Sequence, residues 1–332
     1  MQLRAGAIAG TLLVGAALAA ALYRNQLEPI AGSSPLAACR LAATDAAHPG
    51  MVFIPAGNFM MGANYAYPEE GPSHAVTVGD FWIDQTEVTN GQFAEFVAAT
   101  GYRTLAERGI GNPAQPQAAP VAGSAVFVPP YTDGQPDPFR SWWQFRLAAN
   151  WRQPAGPGSS IAGLEQHPVV HIAFEDAQAY AAWKGHSLPT EAQFEYAARG
   201  TGREDADGNQ IANTWQGLFP FQHNSSDGYI GTSPVGCYAT NAQGVYDLIG
   251  NVWEWTSSTY YISHDFAAKA DFPGGYDPNQ PTDEVAVIKG GSYLCAPNYC
   301  MRYRPEARQG QSKGLGTDHI GFRTVMEAQA PN

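Results

Sequence analysis

Hydrophobic and polar positions along the chain predict one long apolar segment, followed by short strands and few helices. Residues 5–23 form an uncharged apolar run between Arg4 and Arg24. A run of this length spans a bilayer marginally, and the small residues near its end also suit cleavage of an export signal. We therefore expect residues 1–24 to be an N-terminal signal or membrane anchor, and the sequence leaves open which of the two applies.

A linker and a folded domain follow the apolar segment. Residues 25–49 are rich in Ala and Pro and lack hydrophobic periodicity, which is typical of a linker. From Gly50 onward, β-branched and aromatic residues bounded by Gly and Asn predict strands in MVFIPAGNFMMG and in HAVTVGDFWIDQTEVT. The folded domain is therefore expected to begin near residue 50.

Three helices carry a capping residue before the first apolar position or a glycine after the last one. They are predicted from a candidate N-cap at Asn90 to about residue 100, over residues 174–184, and from the capping box of Thr190 and Gln193 to about residue 199. Residues 105–166 are instead rich in Pro, Gly and aromatic side chains. Such a long irregular stretch is typical of functional surface, with a disordered excursion as the alternative.

Composition and charge narrow the fold and the partners. The chain has 332 residues with 36 Gly and 25 Pro, and 12% of its residues are aromatic. This composition favours a loop-rich fold held together by aromatic packing, since Gly and Pro interrupt regular elements. The formal net charge of −12 and the absence of any Lys/Arg run exclude the nucleic-acid-binding classes, which need a basic surface.

The four cysteines include the candidate catalytic and metal-binding residues. Cys295 and Cys300 lie five positions apart in GGSYLCAPNYCMRYR. Two soft thiolates suit Cu(I), and the spacing alone equally allows a structural disulfide or a pair of buried thiols. Cys39 and Cys237 could pair after export or stay free, because the sequence does not give the separation that a disulfide requires.

Five segments occur together in the order and spacing of one protein family. They lie at residues 167–200, 212–220, 244–256, 289–304 and 319–323. In these segments, and in GMVFIPAGNFMMG and FWIDQTEVTNGQF, the chain resembles the formylglycine-generating enzymes, also called sulfatase-modifying factors. The resemblance covers residues 50–326 and leaves residues 327–332 as a C-terminal tail. It implies the irregular, loop-rich α+β fold of that family, which is related to C-type lectins and has little regular secondary structure.

The resemblance implies a reaction and a substrate. Members of the family are copper-dependent oxidases that use dioxygen to convert the cysteine of a Cys-x-Pro-x-Arg motif in an unfolded sulfatase polypeptide into Cα-formylglycine. Cys295 and Cys300 occupy the two positions that bind Cu(I) and engage the substrate thiol. Ser292 matches the serine of the family's GGS motif, whose hydroxyl lies beside the active thiols.

Candidate substrate-binding residues follow from the same resemblance. Trp142 and Trp143 fall in the region that forms the family's substrate groove. Tyr299 and Arg302 sit at matching positions, with local packing as the alternative interpretation.

The chain departs from the family pattern between and after the cysteines. Ala296 directly follows Cys295, where many members have a His, so any proton-transfer role of that His is absent or is supplied elsewhere. Residues 309–319 differ as well, which puts the substrate preference in question. Two other functions therefore stay open: a binding module of the same fold, and an oxidase that acts on a different thiol.

The resemblance also implies two calcium sites built from oxygen ligands, which calcium binds in flexible geometry. The carboxylates involved would otherwise be interpreted as solvated surface. The first set is Asn213, Thr214, Asp227 and Tyr229, and the second set is Asp247, Gly250, Val252 and Glu254, with Thr214, Tyr229, Gly250 and Val252 contributing carbonyls.

The apolar leader before an otherwise soluble domain predicts export. The protein is expected either free in the periplasm or anchored in the inner membrane through residues 5–23 and facing the periplasm. We expect it to act as a monomer on an unfolded sulfatase polypeptide, with Cu(I) and Ca²⁺ as cofactors and no nucleic-acid partner. The sequence does not name the client sulfatase.

Overall fold

The computed structural model describes residues 39, 41–111, 117, 119–129, 142–208 and 210–328. By its internal contacts the chain divides into two units, Met1–Arg40 and Leu41–Asn332, and the elements given below belong to the second. The predicted signal or anchor at residues 1–24 lies outside the described residues. Within the described ranges, no helix combines the length and the apolar character that crossing a membrane requires.

Short strands form four small sheets in the described part of the chain. The strands are β1 (Met51–Ile54), β2 (Gly57–Met61), β3 (His74–Val78), β4 (Phe81–Asp84), β5 (Gly123–Phe127), β6 (Trp143–Leu147), β7 (Trp253–Thr259), β8 (Val285–Lys289), β9 (Arg308–Ser312), β10 (Ile320–Gly321) and β11 (Val325–Glu327). β2 pairs with β3 and β5 with β6, and the other two sheets have the orders β1–β4–β11 and β10–β7–β8–β9. The two predicted strand patterns thus correspond to β1 and β2, and to β3 and β4.

The four-stranded sheet positions the cysteines. β8 is buried along its whole length, as expected of a short continuous apolar run with neighbours on both edges. It pairs with β9 in antiparallel register, with Lys289 opposite Arg308. The connection between these two residues contains both Cys295 and Cys300. The sheet therefore fixes the two ends of the cysteine-containing loop at adjacent positions.

The part of the chain that the structure describes has two short 3-10 helices, Pro68–Glu70 and Lys269–Asp271, and few α-helices, of which three were predicted. The α-helices are α1 (Asn90–Thr100), α2 (Leu105–Arg108), α3 (Phe174–Lys184) and α4 (Glu191–Ala198). The predicted capping box of Thr190 and Gln193 starts α4. For α1 the predicted N-cap is wrong by one residue. The hydroxyl of Thr89, rather than Asn90, accepts the N–H of Gln92, whose side chain completes a capping box.

The stretch from residue 105 to 166 is more regular than predicted, since α2, β5 and β6 all lie in it. The side chains of Trp143, Phe145 and Leu147 on β6 are exposed at 39%, 48% and 64%. A strand that exposes its apolar positions inverts the usual alternation, in which the apolar face is buried. This inversion is why sequence periodicity did not identify β6.

An aromatic cluster fills the core beside this sheet. Trp255 of β7, Phe93 of α1, Trp151 and Phe322 are all fully buried. The rings of Phe93 and Trp151 meet edge to face, with centroids 5.2 Å apart. The Trp255 indole N–H donates to the carbonyl of Ile172 at 2.8 Å, so the polar edge of the ring is satisfied. The predicted dominance of aromatic packing is confirmed.

Two buried ion pairs join α4 to the strands that flank the cysteine loop. Lys289 Nζ lies 2.9 Å from Glu195 Oε2, and Arg308 Nε lies 2.6 Å from Glu191 Oε1. All four side chains are buried. Removing one partner of such a pair would leave an uncompensated charge in the interior. The pairs therefore hold both ends of the loop in place.

Candidate active site

A tight turn brings the two free cysteines side by side. The N–H of Ala296 donates to the carbonyl of Tyr299 at 2.8 Å, and the N–H of Tyr299 donates back to the carbonyl of Ala296 at 3.0 Å. Residues that flank such a mutually bonded pair lie opposite each other, as in an antiparallel ladder. Cys295 and Cys300 therefore become neighbours although five positions separate them in the sequence.

The four cysteines are in two different states. Cys39 and Cys237 are disulfide-bonded. Cys295 and Cys300 are free thiols, the first buried and the second partly accessible. The disulfide alternative for Cys295 and Cys300 is therefore not realised in this structure.

The backbone around the pair is tightly constrained. Gly291 has a φ of +76°, and a Cβ there would lie 2.9 Å from the carbonyl oxygen of Arg302 and 3.4 Å from Cys295 Sγ. Glycine is therefore required by both the conformation and the space. Cys300 has a φ of +48°, a left-handed conformation that costs a non-glycine residue on the order of 1–3 kcal/mol and is concentrated at functional sites.

The environment gives the two thiols opposite proton affinities. Burial raises the pKa of the Cys295 thiol well above its usual range. A hydrogen bond with Cys295 and the nearby Arg302 guanidinium lower the pKa of the Cys300 thiol. The pair therefore favours a thiolate at Cys300 supported by a thiol at Cys295, and the thiolate is the reactive form of cysteine.

A cavity of about 300 Å³ opens onto the cysteine pair, and its lining includes Cys295, Cys300, Ser292, Trp143 and Tyr299. The Ser292 hydroxyl, which is buried, accepts the N–H of Leu294 at 3.2 Å. The structure thus brings five residues predicted to take part in catalysis or substrate binding to one surface, including Trp143 from the otherwise distant β6.

Aromatic rings form one wall of this cavity. The ring of Tyr299 stacks on Phe219 with centroids 4.3 Å apart and an interplanar angle of 6°. Trp142 is buried and stands perpendicular to Tyr299, with centroids 5.4 Å apart. Trp143 faces the cavity directly, whereas Trp142 supports the wall from behind.

Arg302, predicted to bind substrate, is already engaged by the protein. Its Nη2 lies 2.5 Å from Glu69 Oε1, and its guanidinium carbon lies 3.9 Å from the centre of the Tyr67 ring. Its charge also lowers the pKa of the Cys300 thiol. Arg302 therefore stabilises the thiolate form of Cys300 while Glu69 holds its guanidinium in place. Sequence reasoning missed Glu69, because it lies 233 positions away along the chain.

The first predicted calcium set lies in a loop region where its polar groups are hydrogen-bonded to the protein. Asn213 and Thr214 are buried. Asp227 Oδ2 accepts the O–H of Tyr238 at 2.5 Å, and Oδ1 accepts the N–H of Tyr229 at 3.0 Å. These contacts hold the Asp227 carboxylate in one orientation without neutralising its charge.

The second predicted calcium set adjoins the first. Gly250 has a φ of +82°, and a Cβ there would lie 2.2 Å from the carbonyl oxygen of Asn213. Val252 is fully buried two residues further along. Asp247 Oδ2 accepts the N–H of Gly236 at 2.6 Å. The two sets therefore meet where Gly250 packs on Asn213.

The carboxylates of the second set belong to a buried cluster with excess negative charge. Glu254 accepts two hydrogen bonds from the guanidinium of Arg323, at 2.7 and 2.8 Å. Burial raises the pKa of Asp247 to about 6. Glu87, which sequence reasoning missed, is fully buried nearby, and neither of its carboxylate oxygens has a hydrogen-bond partner in the described structure.

Glu87 gives the strongest indication of a cation in this cluster. Burial raises its pKa well above the usual range, and Asp247 and Glu254 raise it further. A buried carboxylate without donors is costly unless it is protonated or paired with a cation, so the donor set fits calcium. No three His, Cys, Asp or Glu side chains within the described residues converge in metal-ligand geometry. Carbonyl or amide oxygens would have to complete the coordination.

Comparisons with known proteins agree with this geometry. A family model described as "Sulfatase-modifying factor enzyme 1-like domain" matches residues 39–328, which begins before the domain start expected near residue 50. A relative from Mycobacterium tuberculosis named "Formylglycine-generating enzyme" is 45% identical over 297 residues, covering 83% of this chain and 97% of the relative. The solved structure of PvdO from Pseudomonas aeruginosa is 26% identical with a TM-score of 0.55, covering 87% of this chain and 98% of that chain.

A further relative shows that sequence identity alone does not establish catalytic activity. The Mus musculus protein named "Inactive C-alpha-formylglycine-generating enzyme 2" is 38% identical over 308 residues, covering 88% of this chain and 90% of the relative. Overall similarity therefore does not separate active from inactive relatives. The residues of the site, and not the overall identity, distinguish an active member from an inactive one.

Proposed function

Because the chain belongs to the sulfatase-modifying factor family, we propose that it converts a cysteine of a sulfatase polypeptide into Cα-formylglycine. The observation that carries this proposal is the pair of free thiols at Cys295 and Cys300, set in the wall of a cavity of about 300 Å³. A thiol beside a stabilised thiolate is poised for chemistry, whereas a structural cysteine pair would be inert or bridged. The reaction is an oxidation of the cysteine in a Cys-x-Pro-x-Arg motif, with dioxygen as the electron acceptor.

Copper is the cofactor that the donor set fits. The Ala296–Tyr299 turn sets Cys295 and Cys300 side by side, and two adjacent soft sulfur donors select Cu(I) over hard cations. Binding requires both thiols to lose their protons, so loading releases protons into solution. When bound, copper supplies the redox-active centre at which a thiolate reacts with dioxygen.

The protein's own residues orient the thiols and the peptide. The backbone of Gly291 packs closely against the cysteine pair, and the charge of Arg302 favours the thiolate form of Cys300. Ser292 presents a buried hydroxyl beside the thiols, where it can hydrogen-bond the substrate or an oxygen species. Trp143 and Tyr299 offer aromatic surface to an extended peptide and shield the thiols from water.

Calcium is proposed as a structural cofactor. Asp247, Glu254 and the unpartnered Glu87 support a cation beside the second predicted set, and Asp227 supports one at the first. Calcium tolerates the irregular arrangement of side-chain and carbonyl oxygens that loops provide. Such ions would cross-link a fold that has little regular structure.

The leader sequence supports a proposal about the cellular location of the protein. We propose that the domain acts outside the cytoplasm as a monomer, either after cleavage within residues 1–24 or while anchored through residues 5–23. A reporter fused after Asn332 should be active only in the periplasm. Reporter activity confined to the cytoplasm would contradict this placement.

A binding module of the same fold is the second candidate, because a relative named as inactive is 38% identical to this chain. It would bind a sulfatase-like peptide without oxidising it. The test is to incubate the purified protein with a Cys-x-Pro-x-Arg peptide, Cu(I) and dioxygen, and to follow formylglycine by mass spectrometry. Formylglycine that depends on copper supports the oxidase. Tight peptide binding without formylglycine by the copper-loaded protein supports the binding module.

A further inference from the structure

His319 lies in the same cavity as the two cysteines. Its ring packs on Trp143 with centroids 4.7 Å apart. Its Nδ1 lies 2.6 Å from the hydroxyl oxygen of Thr317. Its Nε2 has no hydrogen-bond partner among the described residues and is not sealed from solvent. The ring is thus held on one side and presents a free nitrogen on the other.

The Asp318 carboxyl group lies on the Nδ1 side of the His319 ring. Its Oδ2 accepts the N–H of Phe127 at 2.8 Å. Its Oδ1 is buried without a hydrogen-bond partner in the described structure and lies 3.8 Å from His319 Nδ1. Asp318 also lines a second cavity of about 250 Å³, together with the polar side chains of Asn90 and Thr232. Most of the lining is apolar, but the cavity is large enough for water, and these three side chains supply polar partners for it. The carboxyl group therefore lies between the histidine and a route to solvent.

The turn between the cysteines has no basic side chain that could accept the proton of a substrate thiol. Ala296 follows Cys295 in this turn, and its methyl group cannot take a proton. A substrate cysteine that enters the cavity as a thiol must lose its proton before its sulfur becomes a good nucleophile or metal ligand. His319 reaches the cavity from a different loop and has an unoccupied ring nitrogen.

We propose that His319 accepts the thiol proton of the bound substrate cysteine at Nε2 and passes its own Nδ1 proton to Asp318. This inference rests on the proposed function. The S–H bond breaks and its electron pair stays on sulfur as the thiolate. An N–H bond forms at Nε2, the Nδ1–H bond breaks, and an O–H bond forms at Asp318 Oδ1. The step is a proton transfer alone and consumes no oxidant or reductant.

The surroundings suit a relay in which the ring stays neutral. Burial, and then the neighbouring His171, lower the pKa of His319 to about 3, so a lasting imidazolium is disfavoured. Burial raises the pKa of Asp318 to about 7, against the hydrogen bond from the Phe127 N–H and the charge of Arg146, so its carboxylate accepts a proton near neutral pH. A shift of about 1 Å would bring Nδ1 and Oδ1 within hydrogen-bond reach.

The test compares kcat/KM for formylglycine formation across pH in the wild type, His319→Gln and Asp318→Asn. General-base catalysis contributes about 10²–10⁴-fold, so His319→Gln should lose about 10²-fold at pH 8. The wild-type rate should rise with pH through about 7 as Asp318 ionises, and both variants should lose that rise. The matched control is His48→Gln, because His48 stacks on Trp82 away from the site; it should behave as wild type.

Two further measurements separate a proton relay from a structural role. The affinity of copper-free protein for the peptide with Ser in place of Cys should be unchanged within about twofold in His319→Gln, since that peptide has no thiol proton to transfer. Added imidazole should restore part of the activity of His319→Ala. Wild-type kcat/KM in His319→Gln at every pH would overturn the relay, as would an equal loss of serine-peptide affinity. A wild type inactive on the cysteine peptide would instead overturn the proposed function, and the relay with it.

Discussion

The side-chain amide of Asn298 pairs with the backbone of Phe219. Asn298 Nδ2 donates to the Phe219 carbonyl at 2.8 Å, and its Oδ1 accepts the Phe219 N–H at 3.2 Å. Asn298 sits in the two-residue turn between Ala296 and Tyr299, and Phe219 carries the ring on which Tyr299 stacks. One amide therefore anchors the turn that sets the cysteines side by side to the aromatic wall of the cavity.

Replacing Asn298 by Ala should loosen this turn. The change leaves two backbone groups of Phe219 without partners, which costs about 1–3 kcal/mol where they are buried from water. Urea denaturation should show that loss, and kcat/KM should fall by more than the stability change explains, because the thiols lose their alignment. Gln243→Ala, at an exposed position, is the control. Unchanged stability and activity in Asn298→Ala would show that the turn keeps its conformation without this side chain.

Gly291→Ala should reduce stability and Cu(I) binding more than the same substitution at an exposed glycine. A Cβ at this position would approach the Arg302 carbonyl oxygen to 2.9 Å in a backbone conformation with a φ of +76°. We expect a loss of about 1–3 kcal/mol in unfolding free energy and weaker Cu(I) binding, measured by competition with a chromogenic chelator. Gly79→Ala, where a Cβ meets nothing within 4 Å, should leave both quantities near wild type.

Cys295→Ser and Cys300→Ser should each abolish formylglycine production while leaving the fold nearly intact, because the substitutions are almost isosteric. Each should also abolish stoichiometric Cu(I) binding, since one soft ligand is lost. Ser292→Ala is expected to slow turnover less severely. Sustained product formation by the double cysteine variant, or by wild-type protein stripped of copper, would refute the assignment of both thiols.

Chelation should lower the melting temperature of the wild type, because removing a ligand that binds only the folded state removes its contribution to stability. Glu87→Gln separates two explanations for the unpartnered carboxylate. If a cation is bound, the variant should be less stable in calcium and should respond less to chelator. If none is bound, loss of the charge should relieve repulsion from Asp247 and Glu254 and stabilise the protein. Glu95→Gln, at an exposed position of α1, is the charge-matched control.

Ionisation of Asp84 should lower the free energy of unfolding as pH rises from about 4 to 6. Burial raises its folded-state pKa to about 6, despite hydrogen bonds from Thr324. An acid with a raised folded pKa stabilises the fold fully below its unfolded pKa of about 3.9 and loses that contribution as pH passes its folded value. Asp84→Asn should therefore gain up to about 3 kcal/mol relative to wild type between pH 4 and 7. Asp283→Asn, an exposed substitution, should show no such trend in denaturation at each pH.

The sequence by itself determined the features that depend on neighbouring residues. The capping box of Thr190 and Gln193 is a local hydrogen-bond pattern, so it could be read from four consecutive positions. The motif around Cys295 and Cys300 likewise identified the thiol pair, because the turn that joins them is closed within six residues. The family resemblance extended this to the loop-rich fold, which composition suggested but could not specify.

Tertiary structure alone decided which distant residues meet at the site. Glu69 holds Arg302 across 233 positions, Glu87 lies against Asp247 and Glu254, and Trp143 shares a cavity with the cysteines. Glu87 lies in the motif FWIDQTEVTNGQF, yet its burial without donors appears only when three distant segments of the chain converge. The physical reason is that burial, charge pairing and cavity shape are properties of contacts between segments. Local sequence patterns reflect the hydrogen bonds within a segment. They do not show which distant residues pack against that segment in the folded chain.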